Sequence, residues 1–115
     1  MLACVIRRAD FLGELVVAVP ESADVVNEHL ADNDGLLLHL LMSNLLRMTV
    51  RTFREGKVDV TDRLLAFVDW CLRTGDGYVA NAVALSFVED FGQLSGETDA
   101  LLARWPTALR EELGR

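Results

Sequence analysis

The apolar positions thicken into one segment. From Leu36 to Leu46 nearly every side of a helix would be apolar (Leu36, Leu37, Leu38, Leu40, Leu41, Met42, Leu45, Leu46), and the segment then turns basic with Arg47, Arg51 and Arg54. A helix that is apolar all round must be covered by other helices. The spacing predicts a central helix over Leu36–Arg54, with Gly56 as its C-terminal cap residue. At about 100° per residue, Ser43, Asn44, Arg47, Arg51 and Arg54 share a stripe with Leu36 and Leu40. That face changes from apolar to basic along its length, and the two preceding helices are the natural cover for its apolar end.

The flanking pattern is helical throughout. Asp10 can cap a first helix to about Ala18, with Leu12, Leu15 and Val16 as its stripe, and the residues before Asp10 either extend this helix or form an arm; Pro20 can open a second that runs to about Leu30. The turn Ala31-Asp32-Asn33-Asp34-Gly35 stops it. Thr61 can cap a fourth helix to Arg73. Leu64, Phe67, Val68 and Cys71 would be buried in it, and Asp62, Ala66, Asp69 and Arg73 would be wet. Asp76 can cap a fifth through Phe91, forced back on the fourth by the short Gly75-Asp76 link. A sixth begins near Thr98 and is broken by Pro106, followed by a short one over Thr107–Leu113. No period-two alternation requires a strand. The expectation is an all-α single domain over residues 1–115, a compact bundle of about six helices. The middle helices are able to stack as antiparallel armadillo- or HEAT-like hairpins.

Charge narrows the partner classes. The chain has 115 residues and a formal net charge of −7, which argues against nucleic acid and anionic membrane as partners and leaves a basic protein as an expected one. No apolar run reaches the roughly 18 residues of a membrane span. Between Arg8 and Arg47 there is no Lys or Arg, only acids from Asp10 to Asp34; Arg47, Arg51, Arg54 and Lys57 then reverse the sign. Either the acidic helix packs beside this basic face within the molecule, or one of the two meets a partner. Arg47, Arg51 and Arg54 are therefore the candidate partner-binding residues. The bias to ten arginines and one lysine fits a GC-rich bacterial gene.

Catalytic chemistry finds little support. No serine sits in a nucleophile elbow, and Gly75-Asp76-Gly77 lacks the Lys-Ser/Thr of a phosphate loop. Cys4 and Cys71 form no CxxC pattern; Cys71 reads as a small core residue, and a reducing cytoplasm is expected. The N-terminus has its charges after its apolar residues, the reverse of a secretory signal. One cluster merits attention: His29, Asp32, Asp34 and His39 flank one turn and are the candidate ligand-binding residues. Their spacing matches no established zinc pattern, so no metal and no cofactor is expected.

In combination, Glu28-His29-Leu30, Asp32-Asn33-Asp34-Gly35, His39-Leu40-Leu41-Met42, Leu64-Leu65-Ala66-Phe67 and Val83-Ala84-Leu85-Ser86-Phe87-Val88-Glu89-Asp90 resemble a family of small, mostly bacterial helical proteins grouped as a domain of unknown function. The resemblance spans about Phe11 to Leu113. It implies a compact all-α fold, sometimes likened to armadillo stacks, and no established activity. The leading expectation is a non-enzymatic protein-interaction module, in one version an immunity-type protein that blocks a basic toxin. One alternative is a small enzyme or ligand-binding protein with its site near His29 and His39. Another is a homodimer joined through residues 36–40 or through Trp70 and Trp105.

Overall fold

A computed structural model describes residues 8–33, 37–88 and 99–113. Among them are seven α-helices and no β-strand: α1 (Arg8–Ala18), α2 (Ala23–Asn33), α3 (Leu38–Arg54), α4 (Val58–Thr74), α5 (Gly77–Val83), α6 (Asp99–Leu102) and α7 (Thr107–Leu113). A 3₁₀ turn, Pro20–Ser22, leads into α2, and a π-helical segment, Ala84–Val88, extends α5. The described chain is an all-α globule.

The central helix forms because its ends are well specified. Gly56 has φ +79, the left-handed conformation that glycine adopts most cheaply. Gly56 N–H donates to Phe53 O at 3.2 Å, and Lys57 N–H to Thr52 O at 2.8 Å. This paired pattern is the Schellman motif, which satisfies two otherwise orphaned carbonyls. It delivers the chain straight into α4, so α4 starts at Val58, three residues before the Thr61 cap that the sequence suggests. Thr61 is buried instead, and its hydroxyl meets that of Thr52 at 2.8 Å, tying α3 to α4. Other ends shift for similar reasons. α1 begins at Arg8, which places Asp10 in its first turn, where its charge complements the helix dipole. α2 continues to Asn33, whose amide donates to His29 O at 2.8 Å. Leu36, Phe91, Gly92 and Thr98 lie outside the described residues.

Leu38, Leu41, Met42, Leu45 and Leu46 of α3 are buried against Leu64, Leu65 and Val68 of α4 and Val79, Ala82 and Val83 of α5 in one core. Burying such side chains is the dominant stabilising term, roughly 1.5–3 kcal/mol each. Cover for α3 is incomplete: Leu37 and Leu40 remain 51% and 41% exposed. α1 packs on α4 rather than over Leu40, with Phe11 edge-on to Phe67 at 5.5 Å between ring centres. Trp105 is buried beside Phe87, with ring centres 5.8 Å apart, and is not available to a dimer interface.

The Gly75-Asp76 link folds α5 back on α4. Asp76 is the N-cap, its Oδ1 accepting from Val79 N–H at 2.9 Å. A Cβ on Gly75 would lie 2.4 Å from Cys71 O and 2.7 Å from Val79 Cγ1. Only glycine lets the two helices meet this closely. Cys71 is a buried free thiol whose pKa is pushed up to about 12, chiefly by burial and then by the charge of Glu14.

Two paired contacts link distant elements. Arg63 on α4 grips Glu21 with two bonds of 2.8 and 2.6 Å, and Arg104 grips Asp62 with two of 2.8 and 2.6 Å. Hydrogen bonding to Arg63, with a smaller backbone contribution, holds the Glu21 carboxyl at about 2. Both pairs are solvent-exposed and add orientation more than stability.

Candidate functional site

α2 and α3 pack side by side and leave between them a cleft of about 420 Å³. α2 contributes Val25, Glu28, His29, Asp32 and Asn33; α3 contributes Leu40, Asn44, Arg47, Met48 and Arg51. Each set follows the three- and four-residue spacing of a single helix stripe. The walls are of opposite sign: Glu28 and Asp32 stand on one, Arg47 and Arg51 on the other. The acidic helix therefore does lie beside the basic face. Yet among the described residues none of Arg47, Arg51 and Arg54 has a carboxylate within 4.0 Å. Arg47 donates to Asn44 Oδ1 at 3.3 Å.

His29 sits at the base of the cleft and is 2% exposed. Its Nε2 accepts the backbone N–H of Leu37 at 3.0 Å. Leu37 is the N-cap residue of α3 and its side chain offers no capping bond. His29 thus satisfies a helix-terminal donor from outside the helix, as the acid of a capping box does from within it. Its Nδ1 faces the amide nitrogens of Asn44 at 3.3 Å and Asn33 at 3.5 Å. Burial lowers the His29 pKa, and the charge of Asp32 opposes that shift.

The four candidate ligand residues are not one cluster. His29 and Asp32 share the cleft, and Asp34 lies outside the described residues. His39 lines no part of the cleft. Its Nδ1 lies 3.0 Å from Ser86 Oγ in the π-helical segment, and its ring meets Tyr78 edge-on at 5.9 Å. A one-residue step along a helix turns the side chain about 100°, which separates His39 from Leu40 at the cleft. The His39–Ser86 contact pairs a hydroxyl with an imidazole, as nucleophilic sites do. Among the described residues no carboxylate hydrogen-bonds to His39 as a third, orienting group. Among the described residues, too, no group of three or more His, Cys, Asp or Glu side chains could hold a metal ion. Of the three candidate arginines, Arg47 and Arg51 line the cleft. Arg54 does not, and its charge complements the C-terminal end of α3.

Sequence reasoning missed Glu28 and Asn33 as members of this site. The signal was present in the stripe that Val25, Glu28, His29 and Asp32 form at helical spacing. A second, mainly apolar concavity of about 310 Å³ lies between α1 and α4, lined by Val17, Ala18, Ala66, Phe67 and Trp70 with Glu14 and Arg63 at its edge.

No helix among the described residues is long and apolar enough to cross a membrane. A family model described as a domain of unknown function, DUF7674, matches residues 12–115. No curated protein and no solved structure matches the chain.

Proposed function

We propose, for a chain that belongs to the family of unknown function DUF7674, that it is a non-enzymatic protein-interaction module and that the α2–α3 cleft is where its partner docks. One observation carries this reading. Among the described residues Arg47 and Arg51 stand in the cleft without an ion pair, although Glu28 and Asp32 line the same cleft. Partly enclosed charges of both signs left apart are a recognition surface, because a partner that inserts between them gains charge-assisted bonds on both walls. Exposed Leu37 and Leu40 beside it add apolar area to such a contact. The occupied Nε2 of His29 supports binding over catalysis at the cleft, as does the lack of an orienting carboxylate on His39 among the described residues.

In the version we favour the module is immunity-type, acts in a bacterial cytoplasm and meets a basic protein. The net charge of −7 supports this through long-range attraction, which raises association rates. The test is capture from a lysate of the source organism on the immobilised full chain, compared with an Arg47→Glu, Arg51→Glu variant. A partner held by the native chain at low salt, released at moderate salt and lost by the variant is the expected result. Equal capture by both chains, or capture by neither, would overturn the reading.

A further inference from the structure

We infer that the outer stripe of α5 and its π-helical extension, formed by Tyr78, Asn81 and Leu85, is a seam through which two copies of this chain associate, antiparallel and about a two-fold axis. The seam is separate from the cleft, since none of these three residues lines it.

The stripe stands out by its lack of charge. From Gly77 to Val88 there is no Asp, Glu, Lys, Arg or His, in a chain whose formal net charge is −7. A helix that meets water on one side ordinarily carries charge on that side. This one presents Tyr78 at 44% and Leu85 at 45% exposure, with Asn81 exposed between them. Spacings of three and four residues put all three on one face. Aromatic and aliphatic side chains without charge are the composition of an interface centre.

Charge selects the occupant. A basic protein is drawn to acids, and this stripe has none to offer it. Two copies of a strongly acidic chain repel each other, so their close contact requires a face that carries no charge.

Spacing selects the geometry. Turned end for end about a point between Asn81 and Ala82, the stripe maps onto itself. Tyr78 of each copy then falls on Leu85 of the other, and the two Asn81 side chains lie nearly level. Such a self-complementary patch is the requirement of a two-fold contact. An amide carries both donor and acceptor, so two facing asparagines satisfy each other whichever way each is turned. A lone asparagine in an apolar seam also fixes its register. Tyr78 is held ready for this role: its ring meets His39 edge-on at 5.9 Å, and His39 lies 3.0 Å from Ser86 Oγ. An anchor already held in place loses less freedom on binding. Three exposed side chains per copy fall short of the roughly 800 Å² per partner of a standard interface, so the dimer should be weak, with a Kd of about 10 µM to 1 mM.

The experiment is sedimentation velocity of the full chain over a concentration series at low and moderate salt. Reversible growth from monomer to dimer up to about 2 mM is expected. Added salt should strengthen it, by screening repulsion between acidic copies while the seam has no charge to lose. Tyr78→Lys with Leu85→Lys, and Tyr78→Glu with Leu85→Glu, should each be monomeric. Their equimolar mixture at low salt should recover the dimer, because lysines of one copy face glutamates of the other. Both positions are exposed, and unchanged circular dichroism verifies the fold. In a half-labelled native sample, an isotope-filtered Overhauser contact should join the Tyr78 ring to the Leu85 methyls. Within one chain those residues stand about 10 Å apart along the helix, too far for it. A monomer at every concentration would overturn the seam. So would a dimer that salt weakens, a dimer that survives in either variant, or a mixture that stays monomeric.

Discussion

Asp69 and Leu109 lie 40 positions apart in the chain and are joined inside the molecule, Asp69 Oδ1 accepting the Leu109 backbone N–H at 3.1 Å. Leu109 is the third residue of α7, where helix geometry leaves donors without a partner. The other carboxylate oxygen of Asp69 accepts from Arg73 Nε at 2.8 Å. One acid on α4 therefore holds down the C-terminal helix. Asp69→Ala should cost about 1–3 kcal/mol, the usual cost of a buried donor left unsatisfied. Asp69→Asn keeps an oxygen for Leu109 and should cost less. Urea denaturation gives both values, and faster exchange of the Leu109 amide in the alanine variant locates the loss.

Gly75 and Gly13 make opposite predictions for the same substitution. A methyl group on Gly75 meets a backbone oxygen and a valine side chain, whereas on Gly13 it meets nothing within 4 Å. Gly75→Ala should destabilise by about 1–3 kcal/mol through overpacking. Gly13→Ala, in the interior of α1, should stabilise by about 0.5–1 kcal/mol. Thermal melts of the two variants beside the native chain check the contrast.

His29 makes stability depend on mildly acid pH. Its pKa is lowered in the folded chain, so below the ordinary histidine value the unfolded state binds more protons than the folded one. Stability then rises with pH across that window and falls as pH drops through about 6.5. The extra proton must displace the Leu37 N–H from Nε2. Urea midpoints from pH 7.5 down to 5, and the nitrogen shifts of the His29 ring, read the effect. His29→Gln should remove most of this slope.

Cys71 should be inert in the folded chain. Its buried thiol ionises only near pH 12, and the thiolate is the reactive form. In a Cys4→Ser background, labelling with a disulfide reagent at neutral pH should proceed at least about 10³-fold slower than in the unfolded chain, through global opening. The rate should climb with urea in step with unfolding.

The middle of the fold was largely legible. α3 is signalled by its leucines and by Gly56, α5 by its Asp76 cap, and α7 by Pro106, each through residues close in sequence. The start of α4 was misplaced because that helix begins without a side-chain cap, at a turn set by Gly56. Asp69 looked wet because its i,i+4 partner Arg73 is exposed; its second partner comes from α7, 40 positions further on, and nothing near Asp69 in the sequence signals that packing. The cleft was half visible. Arg47, Arg51, His29 and Asp32 were singled out from their own helices. That α2 and α3 lie edge to edge, with His39 turned away toward Ser86, depends on packing that no single helix encodes.

The π-helical segment Ala84–Val88 gives the fold a place to absorb a change in chain length. Its wider turn, closed by bonds one residue longer than those of an α-helix, buries Phe87 and Val88 together and carries Ser86 to His39. Removing one residue there would tighten the turn and rotate everything after it by about a quarter of a revolution, while α3 and α4 stayed put. Relatives one residue shorter in this stretch should therefore keep the body of the bundle and forgo the serine–histidine tie.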